Sequence, residues 1–371
     1  MRYKQFKDGI ELSRLGMGNM RLPVIDSDNG QIDYEKAKAI IDLCMKSGVN
    51  YFDTAYIYHN AKSEEFVGKA LAEYPRDSYY VADKFNMMAN PDYKAQFAEQ
   101  LDRLQMERID FYLIHGVQGA LIDGLVGSGC IEYFHSLKEE GKIRYLGFSF
   151  HGDPEALRRM LPVYPWDFVQ IQLNYYDWYF GDTKELYEIL TQAGIPVMAM
   201  EPIHGGLLAN MEEKAAAILK NADPNHSLAS WAMRWVMGMD NVQVILSGMS
   251  DTQQVEDNLK TFNDALVLSE ENHQKIKEAA AIQHAAVAVA CTGCRYCCPD
   301  CPAKLDIPTL IKAYNDAKIG GAWRLSSLME FPREKWPTAC IGCGSCKKHC
   351  PQSFDVPDHM SEMKEMLKGF L

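Results

Sequence analysis

Two short runs near the end of the chain hold most of its thiols. CTGCRYCCPDCP begins at Cys291, and CIGCGSCKKHCP begins at Cys340. Both follow one template: Cys, two residues, Cys, two residues, Cys, three residues, Cys, Pro. Cys291, Cys294, Cys297 and Cys301 fill it first; Cys340, Cys343, Cys346 and Cys350 fill it again. Nine of the eleven cysteines fall after residue 290. A disulfide framework suits small secreted chains, not this one. Thiols three residues apart are poor disulfide partners and good chelators. Zinc sites usually set two pairs of ligands across a longer spacer. A third close cysteine instead wraps the chain around an iron–sulfur cube, and the cysteine before proline ligates the other cube. The spacing therefore predicts two [4Fe–4S] clusters. Cys291, Cys294, Cys297 and Cys350 would hold one, and Cys340, Cys343, Cys346 and Cys301 the other. Cys298 adds a fifth thiol to the first run and is the alternative to Cys297.

The doubled run resembles the two-cluster bacterial ferredoxins, with a longer spacer between its halves. In that spacer IPTLIKAYNDAK reads as a helix with Ile307, Leu310, Ile311 and Tyr314 on one side. From residue 291 on there are eleven Lys and Arg against nine Asp and Glu. That small positive excess would offset anionic clusters, and a solvated surface explains it equally well.

A second set of chemistry-bearing residues lies far upstream: Asp53, Tyr58, Lys84 and His115. Their setting is a series of β-rich runs: SRLGMG, YFDTA, SYYVADKF, IDFYLIHG, YLGFSF, FVQIQLNY, PVMAME and VQVILSG. Amphipathic helices separate them. DYEKAKAIIDLCMKSG carries Ala37, Ile40, Ile41 and Cys44 on one face and Gly48 as a stop. GDTKELYEILTQAG offers Asp182 as a cap with Glu185 three later, and SDTQQVEDNLKTF repeats the device with Ser250 and Gln253. Alternation implies parallel strands. Eight units over about 260 residues imply a closed (β/α)8 TIM barrel. An open doubly wound sheet would favour a G-x-G-x-x-G loop after its first strand, and GMGNM does not complete one. The expected division is a barrel over 1–265, a helical linker over 266–289 and a small, mainly helical ferredoxin-like domain over 290–371.

In such a barrel chemistry sits at the C-terminal strand ends. Asp53, Lys84 and His115 end three consecutive strands, and Tyr58 follows Asp53 by five. Singly, each has an ordinary reading as a helix cap, a solvated cation or a core histidine. Jointly, they are a proton-transfer set.

Composition narrows the partners. The 371 residues are 47% hydrophobic and 24% charged, with a net charge of -12. That balance argues against nucleic acid or an anionic membrane as partner. The opening MRYKQFKDGIEL has no apolar core of signal-peptide type. No apolar run approaches the roughly 18 residues of a membrane span. A cytoplasmic protein is expected.

FDTAYIYHNAKSEE, VADKF and FYLIHG resemble the signatures of the aldo/keto reductases, and IRYLGFSF, VQIQLNYYD, MEPIHGGLL and ILSGMSDTQQVEDNL resemble that family's later strands. The likeness spans residues 1 to 265. With its tail, the chain resembles the iron–sulfur branch of the family. The resemblance implies hydride transfer from NADP or NAD to a small-molecule carbonyl (an aldehyde, ketone or sugar-like group). It makes Tyr58 the proton donor, with Lys84 lowering the phenol's pKa, Asp53 holding Lys84, and His115 orienting the carbonyl. Tyr56 is the competing phenol. Ser149 and Gln170 match the carboxamide-binding positions. Gly205, Gly206 and Leu207 match the loop after the seventh strand, and Gln254, Asp257 and Asn258 match the adenosine side.

Three positions depart from the pattern. Met200 stands where an aromatic usually stacks on the nicotinamide, and Phe150 with His151 stands where Asn usually follows the serine. Gly248 and Gln254 stand where Lys or Arg often clamps a 2′-phosphate, which weakens the case for NADPH. Hydride moves two electrons and cubane clusters move one; a flavin would bridge the two modes, and no flavin signature is legible. The clusters therefore relay electrons from an external electron carrier, serve a flavin, or staple a small module. Two further readings make the chain an electron-transfer subunit whose barrel is mainly a docking scaffold, or a redox sensor in which cluster loss gates the barrel. Tyr175, Tyr176, Trp178 and Tyr179 are candidates for a substrate pocket or for packing under a loop.

Overall fold

The β-rich runs form strands in the order expected. In a computed structural model, residues 1–25, 30–264, 267–320 and 322–368 are described. A short antiparallel hairpin, β1 (Tyr3–Gln5) and β2 (Glu11–Ser13), precedes the rest. Eight strands follow: β3 (Leu15–Gly18), β4 (Tyr51–Asp53), β5 (Tyr80–Phe85), β6 (Ile109–Val117), β7 (Ile143–Phe150), β8 (Phe168–Gln172), β9 (Val197–Met200) and β10 (Val242–Ser247). Each pairs in parallel with its neighbours, and β10 pairs with β3 to close the barrel. The fold is the TIM barrel that the alternation implied.

One end of the barrel is filled. Phe6 from the hairpin packs at 5.5 Å from Phe111 and edge-on at 5.0 Å from Tyr145. Tyr51, Phe168, Met198 and Val244 belong to the same buried cluster. Aromatic layers of this kind leave chemistry to the opposite end, where the strands finish.

The helices obey their sequence signals with two instructive exceptions. They are α1 (Tyr34–Lys46), α2 (Ser63–Leu71), α3 (Tyr93–Leu104), α4 (Ile122–Gly127), α5 (Cys130–Glu139), α6 (Pro154–Met160), α7 (Tyr175–Phe180), α8 (Thr183–Gln192), α9 (Glu213–Ala222), α10 (Leu228–Met237), α11 (Thr252–Asn263), α12 (Glu270–Ala286), α13 (Ile307–Gly320), α14 (Ser345–His349) and α15 (Val356–Lys368). In α1 the predicted face, Ala37, Ile40, Ile41 and Cys44, is fully buried. Each large aliphatic there stabilises by about 1.5–3 kcal/mol. The cap of α8 is Asp182 as expected, but its side chain accepts no capping bond. The cap of α11 is Asp251 rather than Ser250. Asp251 accepts from Gln254 N, and Gln254 Oε1 accepts from Ser250 N at 2.9 Å, so the capping box sits one residue later than the spacing suggested. Ser250 Oγ instead donates to the Arg21 carbonyl at 2.7 Å, and the extended backbone at Asp251 aims a carboxylate at the helix N–H groups.

Contacts divide the described chain into two units. The first comprises Met1–Pro202 and Ala229–His273, and the second comprises Ile203–Leu228 and Gln274–Leu371. The second unit has its own core. Ile307, Leu310, Ile311 and Tyr314 of α13 are all buried, as their spacing predicted, and meet Val356, Met360 and Met363 of α15. It also takes in the turn His204–Ala209, which follows β9 in the chain.

Candidate active site and thiol cradles

Asp53 is the last residue of β4, and Lys84 is the next to last of β5. Parallel pairing sets these strand ends side by side. Lys84 Nζ lies 2.7 Å from Asp53 Oδ1 and also donates to the Thr54 carbonyl. Lys84 is wholly buried and Asp53 nearly so. Burial pushes the Asp53 carboxyl up, against the pull of the Lys84 ammonium. The same ammonium stands 5.0 Å from the centre of the Tyr58 ring. Tyr58 in turn meets His115 edge-on, with ring centres 5.9 Å apart. The four predicted side chains are therefore one cluster.

Tyr56 goes elsewhere. Its hydroxyl donates to Glu99 Oε2 at 2.8 Å in an exposed contact, under the Arg103 guanidinium. His115 is driven well below the ordinary histidine range, by burial first, then by Lys84 and His151. Burial also lowers His151, to about 4. Both rings are neutral near pH 7.

Ser149 and Gln170 stand opposite each other in the β7–β8 register. Ser149 Oγ accepts from Gly116 N at 2.8 Å. Gln170 Nε2 reaches Met200 Sδ at 3.5 Å, while its Oε1 is buried with no hydrogen-bond partner among the described residues. An orphaned amide oxygen beside a serine suits a bound carboxamide, which brings N–H donors. Asn258 Nδ2 donates to Ser247 Oγ at 3.0 Å, and Gln254 is spent on the α11 cap. Asp257 lies between them on α11, its carbonyl accepting from Thr261 Oγ1. The sequence missed Arg21. Its stem lies 3.2–3.3 Å from where a Cβ on Gly248 would stand, so a basic residue from the β3 end passes the position that lacks one. The aromatic segment of α7 is packing: Tyr175 is fully buried, and Trp178 meets Trp235 at 5.3 Å and Tyr187 at 5.8 Å.

The second unit carries the thiols. One cavity is lined by Cys291, Cys294, Cys297 and Cys350, with Ile307, Ile311 and Phe354 as apolar wall. Another is lined by Cys301, Cys340, Cys343 and Cys346, with Leu305, Ile307 and Met360. The quartets are those of the spacing argument, each with its fourth cysteine from the other run. Cys298 lies outside the lining of both and packs on the neighbouring core. Among the described residues no group of three His, Cys, Asp or Glu is placed to hold a single metal ion. Eight thiols around two apolar-walled spaces suit a cubane, and Gly293 N–H donates to Cys291 Sγ at 3.4 Å, the kind of bond that tunes cluster sulfur.

Gly205, Gly206 and Leu207 lie in this unit, in the turn His204–Ala209. Gly205 has φ +65°, and a Cβ there would stand 1.8 Å from the Thr292 carbonyl oxygen. His204 Nε2 lies 3.0 Å from the Ala290 carbonyl. The turn after β9 is thus latched to the segment that carries Cys291.

A barrel with Asp, Tyr, Lys and His at three adjoining strand ends defines a class of carbonyl oxidoreductase, and comparison with known proteins agrees. Residues 14–281 match the model of the aldo/keto reductase family, and residues 290–354 match that of the 4Fe-4S dicluster domain. The chain belongs to the aldo/keto reductase family and is an NAD(P)-dependent oxidoreductase of that type. It is 26% identical to a probable aldo-keto reductase 1 of Glycine max, over 74% of this chain and 87% of that protein. It is 27% identical to L-galactose dehydrogenase of Arabidopsis thaliana, over 69% and 86% respectively. Among solved structures, the holo form of aldo-keto reductase AKR11C1 from Bacillus halodurans superposes with a TM-score of 0.62 at 26% identity, over 75% of this chain and 96% of that one. Among the described residues no helix is long and apolar enough to cross a membrane.

Proposed function

We propose that the barrel reduces an aldehyde, ketone or sugar-like carbonyl, with Tyr58 donating the proton to the carbonyl oxygen. The observation that carries this reading is the cluster of Asp53, Lys84, Tyr58 and His115. A free phenol has a pKa near 10, too high for easy transfer near neutrality. A close ammonium favours the phenolate, and Lys84 is held for that task by Asp53. His115 meets the substrate oxygen as a neutral hydrogen-bond donor and orients it. A bound nicotinamide supplies the hydride; Ser149 and Gln170 would hold its carboxamide. Arg21 restores a cation near Gly248 and reopens NADPH beside NADH.

The thiol quartets would hold two [4Fe–4S] clusters, which supply one-electron chemistry. Here the chain provides sulfur ligands, apolar walls and a surface for an external electron carrier. Cys343 and Ile341 are exposed, which favours that side for the carrier.

Anaerobic turnover of NADH and NADPH against a carbonyl panel tests the barrel reading. Tyr58→Phe should lower kcat about 10²–10⁴-fold with nucleotide binding retained. Unchanged turnover in Tyr58→Phe overturns it.

A further inference from the structure

Asn86 directly follows β5, and its side chain touches both a backbone turn and the imidazole of His115. Its Oδ1 accepts from the N–H of Met88 at 3.1 Å and of Ala89 at 3.0 Å. An amide side chain has one accepting end and one donating end. Two backbone donors claim the oxygen, so the other end must be the NH2 group. That group lies 3.5 Å from His115 Nδ1. Gln96, fully buried, holds the Asn86 main chain from both sides: Oε1 accepts from Asn86 N at 2.6 Å, and Nε2 donates to Asn86 O at 3.1 Å. Asn86 is thus pinned by side chain and backbone alike.

A neutral imidazole carries one N–H and one bare nitrogen, and its partners decide which is which. A donor facing Nδ1 requires Nδ1 to be the bare nitrogen. We propose that Asn86 is a positioning residue that sets His115 in the Nε2–H tautomer, so that Nε2–H is the group presented to the substrate oxygen. The proposal rests on the carbonyl-reductase reading of the barrel mouth. In the other tautomer Nε2 would aim a lone pair at the carbonyl oxygen, and repulsion would replace the orienting hydrogen bond. Asn86 touches no reacting atom and acts through His115.

Asn86→Asp isolates this effect. The carboxylate keeps an acceptor for Met88 and Ala89 and changes only the edge that faces His115. That edge now demands a proton on Nδ1. The readout is the ring-¹⁵N spectrum of histidine-labelled protein, with His115 assigned by its loss in His115→Gln. Wild type should show His115 Nε2 protonated and Nδ1 bare. Asn86→Asp should show Nδ1 protonated, with kcat lowered about 10²-fold and nucleotide affinity unchanged. Asn86→Ala, which serves if the aspartate variant does not fold, should show a mixture of tautomers. A protonated Nδ1 in wild type, or the wild-type pattern in either variant, overturns the proposal. The spectrum is recorded without substrate. An active Tyr58→Phe enzyme would therefore sink the carbonyl reading while leaving the tautomer measurement to stand or fall by itself.

Discussion

Lys84 Nζ stands 2.7 Å from Asp53 Oδ1, with neither side chain open to solvent. A buried pair of this kind contributes little net stability while intact, and costs heavily when one partner goes. Asp53→Asn should leave an uncompensated ammonium and destabilise the barrel by about 3–5 kcal/mol, with kcat falling too. Denaturant unfolding and steady-state kinetics read the two effects. A stable variant with unchanged kcat would remove Asp53 from the mechanism.

Tyr56 and Tyr58 separate by a simple comparison. Tyr56 donates to Glu99 at the surface, where one such bond is worth at most about 1 kcal/mol. Tyr56→Phe should hold turnover within about twofold, in contrast to Tyr58→Phe. A large loss in Tyr56→Phe would mean the wrong phenol has been chosen.

His115 and His151, both lowered from the ordinary histidine range, give the fold an acid edge. An unperturbed histidine titrates near 6.5. In the folded chain His151 titrates at about 4, and His115 lies well below its ordinary value. Below about 6.5 the unfolded chain binds protons that the folded chain refuses, so stability falls as pH drops toward 4 and is level above. His151→Gln should flatten part of that fall in a series of melting curves. Superimposable curves would show that His151 does not titrate as described.

Iron analysis separates the thiols. Cys343→Ser removes a cavity-lining thiol and should lower the iron bound per chain. Cys298→Ser should keep the wild-type content, because Cys298 lies outside both linings. Iron lost in Cys298→Ser would put Cys298 in the place of Cys297, and iron retained in full in Cys343→Ser would remove Cys343 from its quartet.

The latch between the turn His204–Ala209 and Thr292 makes Gly205 sensitive. A methyl there meets a backbone oxygen at 1.8 Å and sits at positive φ, so neither side yields cheaply. Gly205→Ala should cost about 2 kcal/mol or more. Thermal melting shows it, and an unshifted Tm would mean that the turn is free to move away.

Local chemistry is legible in the sequence by itself. Strand runs such as VADKF and helix faces such as Ala37, Ile40, Ile41 and Cys44 announce themselves by spacing, because a backbone period repeats within a few residues. The cysteine template is equally local, and its fourth ligand from the other run is what the likeness to two-cluster ferredoxins implies for a cysteine before proline. What spacing could not decide was contact between distant segments. Tyr56 and Tyr58 share one short loop, and only packing sent one to Glu99 and the other to Lys84. Arg21 reaches Gly248, and Asn86 reaches His115, because closure of the barrel brings separate strand ends together. Such meetings depend on where whole elements settle against one another, and no repeat within a single stretch of chain records that.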